Sequence, residues 1–520
     1  MIVKLLIRFT FLVLLAGTAV AVDMNWTNAA GGDWTDPDNW DTAVPGLGDY
    51  AVFNMGSATA YTVSNVTDGT SNGRLKVEQD KVKLDLTGIT YNLTVTTVMI
   101  VRGPENTTTL EIVGGTVQIP YKNIYAGYSS SAPGWGTLIF NDVTFTNTDP
   151  DESPIGQLRI GSPGGGSGTV IMRGGTELTQ DWGIRKVFMY TPGRLIIEDS
   201  GTDVQIGDIG MGLDASGDAS LSMLIVTNGA RLLNSAAYNS EIGSGGPAIL
   251  TVTGSNSQAQ LTCQVDSLYI GKTGSGRGII QVLDGGTVRD GLYWMTSLNT
   301  YFGNGGSTHG SLLVEGTDSN YRVEKDSAHK VYFRTNSTLV VRDGGRVWSY
   351  KRGSELVFEQ GSSLGGDGRL EIGVDCAGMI KPGGTLVTDD WYGVTSGSGT
   401  LTVTSNLTLS ATALYDVELA GWNVAEYDRV VASNDVVLAG SIAISMIDGF
   451  TYSSAGGHRY TVMEVGGTLS GAFSNAANGE WIETANPGET FQVHYGASSQ
   501  YAANDVVLTT KPTGTVIIIQ

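Results

Sequence analysis

The sequence predicts an all-β protein whose chain winds into a solenoid of stacked coils, closed by a cap at each end. Three observations predict it. A phrase of alternating apolar residues followed by a glycine turn recurs about every 29 residues. Glycine supplies 73 of 520 residues, about twice the average usage of roughly 7%. Charged residues make up only 16% of the chain, while hydrophobic residues reach 41%, enough for a long apolar interior.

The chain opens with Lys4 and Arg8, the apolar run Phe9 to Ala16, and Ala19-Val20-Ala21. A basic start, a short apolar run and a small-x-small tripeptide form a secretory signal, so residues 1–21 are expected to be cleaved after Ala21. The run falls short of the ~20 residues a membrane span needs, and no later stretch reaches that length. The expected address is therefore secreted or cell-surface.

Residues 22–75 hold Trp26, Trp34 and Trp40, followed by the alternating Ala51-Val52-Phe53. We read them as an N-terminal cap with the first strands, bulky rings covering an edge that would otherwise be open.

Residues 76–375 carry the repeats. Full copies include Leu110-Glu111-Ile112-Val113-Gly114-Gly115 and Ile280-Gln281-Val282-Leu283-Asp284-Gly285-Gly286. Counting degenerate copies, the starts are Leu110, Leu138, Val170, Leu195, Leu224, Leu250, Ile280, Leu312 and Leu339. A second phrase, apolar-x-Ile-Gly, falls between them at Leu158–Gly161, Val204–Gly207, Glu241–Gly243 and Leu268–Gly271. Each period thus holds at least two strands. Alternation places Leu110, Ile112 and their counterparts on one face, and no single unit can bury that face alone. Stacking coil on coil buries it and pairs the backbone. A propeller blade would need about 40–50 residues per unit. Residues 376–520, with longer alternating runs such as Leu414 to Leu419, read as final coils and a C-terminal β cap.

Taken together, Trp34…Asn39-Trp40…Val44-Pro45…Asp49-Tyr50-Ala51-Val52-Phe53, the Gly-Gly repeats and Ile380-Lys381-Pro382-Gly383-Gly384 through Ile447-Asp448-Gly449-Phe450 resemble a family. It is that of autotransporter-passenger proteins with autotransporter-associated β-strand repeats. The resemblance implies a right-handed parallel β-helix, exported and surface-associated. The run Val516 to Ile519 reads as a terminal strand, and no segment reads as the family's translocator barrel.

Little in the sequence points to chemistry. The net charge of −21 lacks the footprint of a phosphate-backbone binder, so no nucleic-acid partner is expected. His309, His329, His458 and His494 are scattered, and no metal or other cofactor is expected. Cys263 and Cys376 lie about four coils apart, beyond the ~7 Å Cα limit for a bridge, and are expected to be unpaired. Asp284 and Asp343, both before Gly-Gly, read as turn formers; Asp428 and Arg429 read as a salt bridge. No catalytic residue is assigned. The best binding candidate joins Trp348, Tyr350 and Arg352 with Trp294 about two coils earlier, since aromatic faces stack on sugars and the basic Lys351-Arg352 pair suits anionic glycans. The expected function is an exported structural or adhesin-like solenoid, facing surface glycans, matrix polymer or other cell-surface proteins. The alternative is a carbohydrate-active β-helix enzyme or a glycan-binding accessory protein, recognisable by acidic side chains beside Lys or Arg on neighbouring coils.

Overall fold

The computed structural model describes residues 21–510, apart from 96, 105–106, 130–132, 148–152, 164, 180–182, 214–220, 237–239, 264–266, 292–298, 305, 325–328, 388–392 and 453–456. All but the last residue of the expected signal segment 1–21 therefore lies outside the description, as do Trp294 and the run Val516 to Ile519. The chain is a parallel β-solenoid, 54% strand and 2% helical.

Most coils contribute three strands, which stack into three faces. Face 1 is, among the described residues, a sheet of 16 strands, all parallel. It includes Thr109–Val113, Trp135–Asn141 and Ser167–Arg173. Face 2 follows in each coil, as in Thr116–Gln118, Thr287–Asp290 and Arg346–Ser349. Face 3 closes the coil, as in Lys122–Ala126, Leu268–Ile270 and Lys330–Phe333. The nine-residue strand Asp203–Met211 runs straight through the corner between faces 2 and 3 and links them into one sheet.

The nine apolar starts of the repeat stack on one another in unbroken register along face 1, from Leu110 on Leu138 through to Leu312 on Leu339. All nine are buried. Burial is the cause of the period: each aliphatic side chain removed from water contributes about 1.5–3 kcal/mol, and only equal register keeps every one inside. Face 3 adds an inner aromatic column. Phe302, Phe333 and Phe358 lie parallel at 4.6 and 4.7 Å between centroids.

The corners explain the glycines. Gly115 has φ +72°, and a Cβ there would sit 2.0 Å from the Leu86 carbonyl oxygen of the preceding coil. Asp284 and Asp343 have φ of 50° and 54°, so they occupy the left-handed turn that aspartate tolerates. The phrase Ile-Gly marks a face 3 corner at Gly161, Gly243 and Gly271. At Ile206-Gly207 it does not. That pair lies within the uninterrupted strand Asp203–Met211, and the corner falls at Gly212, φ +64°.

The parallel ladder begins at Asp23–Asn25 and continues to Leu469–Gly471, past both limits of the 76–375 repeat region. Both ends are closed. At the start, residues 39–41 run antiparallel along Asn25 to Thr27, with hydrogen bonds from Thr27 N to Asn39 O and from Asp41 N to Asn25 O. Trp26, Trp34 and Trp40 fill the interior beneath, with edge-on contacts at 5.1 and 4.9 Å. At the far end, the Asn475 side-chain amide accepts from Ile442 N at 3.0 Å and donates to Ile442 O at 2.8 Å, imitating a next strand for face 1. Arg459–Val465 pairs parallel with Arg429–Ala432 on one side and antiparallel with Asp505–Thr510 on the other, and Thr490–His494 and Trp481–Glu483 extend that antiparallel sheet.

Cys376 is a free, fully buried thiol on face 3, and burial pushes it up to about 12. The Cys263 side chain lies outside the described set. Two outcomes follow from this packing. Phe333→Ala should lower stability by about 3–5 kcal/mol in a urea titration, whereas Thr408→Ala, on an outward position, should change it by less than about 0.5 kcal/mol. In a Cys263→Ser background, Cys376 should resist a thiol reagent at pH 8 until denaturant is added; labelling of the folded protein at the rate of a free thiol would contradict its burial.

Candidate functional site

Because coils stack in register, the outward side chains also form columns. On face 2, Leu232, Ala259, Val288, Tyr321, Val347 and Leu370 point inward and are buried, so the residues on either side of each point out. One outward column runs Gln205, Leu233, Gln260, Arg289, Arg322, Trp348, Glu371. The other runs Asp203, Arg231, Gln258, Thr287, Asn320, Arg346, Arg369.

Of the sequence-based candidates, the structure brings Trp348 and Tyr350 together, with ring centroids 6.4 Å apart. Tyr350 is 59% exposed. The guanidinium of Arg322 lies 4.5 Å from the Trp348 ring and 5.2 Å from the Tyr350 ring, and that of Arg346 lies 4.6 Å from Trp348. Arg352 is exposed on the turn two residues past Tyr350. Cations thus reach the rings from Arg322, one coil back, and Arg346, two residues earlier. Trp294 lies outside the described residues.

Face 3 carries a second column that the sequence reading did not single out. Tyr125, Arg159, Phe188, Gly210, Glu241, Tyr269, Tyr301 and Tyr332 succeed one another in register. Tyr269, Tyr301 and Tyr332 stack nearly parallel, at 5.5 and 5.2 Å. Lys272 lies 4.8 Å from the Tyr269 ring and Arg334 lies 4.3 Å from that of Tyr301. Arg159 reaches Tyr125 and Tyr128 and donates to the Tyr128 hydroxyl at 2.7 Å. Part of the signal was present: Arg159, Glu241 and Tyr269 are the x of apolar-x-Ile-Gly, whereas Tyr125, Tyr301 and Tyr332 lie in strands that lack the Ile-Gly pair.

A third cluster lies beside residues 383–387 and 393–399, of which Leu386, Gly393 and Val394 lie on the outside of face 1. Leu386 and Val394 pack there on Leu313 and Val340, and Gly393 N donates to Thr338 Oγ at 2.6 Å. Glu418 accepts from Ser396 Oγ at 2.5 Å and Gly397 N at 2.7 Å, and Lys381 Nζ lies 2.8 Å from it and 3.4 Å from Asp416. Burial pushes Asp416 up; it acts on Glu418 too, but hydrogen bonds from Lys381, Ser396 and Gly397 outweigh it and hold Glu418 low. Asp428 is fully buried and accepts from Gly399 N at 3.1 Å and Glu418 N at 3.0 Å. The expected Asp428–Arg429 ion pair is replaced by one from Arg429 to Glu464. Neighbours on a strand point to opposite sides, so Asp428 turns into the wall and Arg429 out of it. Two carboxylates displaced in opposite directions beside a lysine are a set that can move protons. Here Glu418 is only 4% exposed, and its bonds fasten Ser396 and Gly397.

Among the described residues, no group of three His, Cys, Asp or Glu could hold a metal ion, and no helix is long and apolar enough to cross a membrane. No protein-family model matches the chain, and no curated protein matches it in sequence.

Burial pushes Asp428 up to about 9, far above the ~3.9 of an unfolded chain. Between those values the folded protein holds a proton that the unfolded chain releases, so this residue's contribution to stability falls as pH rises. In thermal melts from pH 5 to 9, the wild type should lose ground steadily against Asp428→Asn. A difference that stays flat across that range would refute the assignment.

Proposed function

We propose that this chain is an exported, non-catalytic solenoid, structural or adhesin-like, that presents faces 2 and 3 to surface glycans or matrix polymer, as its resemblance to autotransporter-associated repeats implies. The observation that carries the reading is the in-register placement of aromatic and cationic side chains on those faces. A polymer repeats along its length, and so do the columns from Tyr269 to Tyr332 and from Arg289 to Trp348. Aromatic rings pack on the apolar C–H faces of sugars, and the cations beside them donate hydrogen bonds to sugar oxygens. Stacked as they are, Tyr301 and its neighbours offer ring edges and hydroxyls, whereas the exposed Tyr350 offers an open ring.

The carbohydrate-active alternative rests on Lys381, Asp416 and Glu418. One experiment separates the two. Purified protein is incubated with insoluble polysaccharides and with isolated cell-envelope material, and both pelleting and release of reducing ends are followed. We expect co-sedimentation without release, weakened about tenfold or more by Tyr301→Ser with Tyr350→Ser. Release of reducing ends that disappears in Lys381→Ala would establish the enzyme instead. Failure of the wild type to pellet with any material would remove the adhesin reading.

A further inference from the structure

We infer that face 2 binds an acidic polysaccharide, one bearing carboxylates at intervals along a hydroxyl-rich chain. This rests on the display reading above and assigns it a ligand class. From Arg231 to Arg369 the face passes through five coil steps, about 24 Å at the ~4.8 Å spacing of paired strands. Over that length it presents Arg231, Arg289, Arg322, Arg346 and Arg369. Among the described residues, three carboxylates pair with them. Asp203 pairs with Arg231, Glu324 is shared by Arg289 and Arg322, and Glu371 by Arg346 and Arg369. Two positive charges are left over, on a chain whose net charge is −21.

The sharing also orients the guanidiniums. Glu324, with its side chain only 7% exposed, fixes Arg289 through Nε at 2.8 Å and a terminal nitrogen at 2.5 Å. A guanidinium has five N–H donors, so these pairs leave donors for a ligand. Arg231 and Arg369, at the two ends, keep 63% and 55% of their side chains exposed. At the Arg231 end, a groove of about 190 Å³ is lined by Gln205, Gln258 and Gln260 with Arg231, Arg289 and the Asp203 carboxylate that pairs with Arg231. Amides suit hydroxyl groups, guanidiniums suit carboxylates, and Tyr350 offers ring surface at the far end.

Charge density decides between polyanions. A nucleic-acid duplex carries one negative charge per ~1.7 Å, or about fourteen along this face, against two surplus positives and a repelling chain. A polymer with widely spaced carboxylates fits that surplus.

The test measures binding of the full chain to a polyuronate, to the same polymer after methyl esterification, and to duplex DNA, at low and high salt. The inference expects polyuronate to bind, about tenfold or more tighter than its methyl ester, with affinity falling as salt rises. Arg231→Gln with Arg369→Gln should weaken polyuronate binding by a similar factor. Both arginines are exposed, and the methyl-ester comparison needs no variant at all. Equal binding of the ester, or of DNA, would overturn the inference, as would a double variant that folds and binds like the wild type. If envelope material still pellets with the protein in that case, the display reading stands without this ligand; if nothing binds, both fall.

Discussion

In a parallel coil, each strand's backbone N–H and C=O groups find their partners in the coils above and below. That one requirement fixes the rest. A coil must pass three strands through the same three directions and return displaced by one strand spacing, so residues of equal register stand directly over one another. The wall therefore sorts side chains into columns, some inward and some outward. A residue that suits its column stabilises several coils at once, and one that does not disturbs its neighbours on both sides.

The inward columns show what this asks of composition. Leu110 to Leu339 keep one type of side chain over nine coils, and Phe302, Phe333 and Phe358 keep ring upon ring. The corners ask for positive φ, which glycine gives freely and which Asp284 and Asp343 also adopt. Outside, like charges in one column would repel at about 4.8 Å. The chain answers by setting Glu324 and Glu371 between arginines, and by laying Arg322 and Arg346 on Trp348. Open edges, the hazard of any long sheet, are met by residues 39–41 at one end and by Asn475 at the other.

Much of the fold was legible because the inward columns write a period into the sequence: all nine starts fell into a single ladder. The third strand of each coil was not legible, because strands such as Thr116–Gln118 are only three residues long and carry a single apolar side chain. The phrase itself is not uniform, since Ile206-Gly207 lies within a continuous strand while Gly161, Gly243 and Gly271 stand at corners. The site was half legible. Trp348 and Tyr350 drew notice by residue type, but Arg322 is remote in sequence and adjacent only through stacking. Tyr269, Tyr301 and Tyr332 went unremarked because each looks ordinary alone; only coil alignment turns them into a column. Asp428 was misread because adjacency in sequence, for residues on a strand, means opposite sides.

The claim beneath all of this is register on the outer surface, and paired cysteines measure it directly. In a background of Cys263→Ser and Cys376→Ser, Tyr301→Cys with Tyr332→Cys should close a disulfide on mild oxidation, because partners one strand spacing apart fall within bridging range. Tyr301→Cys with Arg334→Cys, two residues out of register, should stay reduced. The opposite outcome, a bridge in the second pair and none in the first, would contradict the columns and the binding faces built on them.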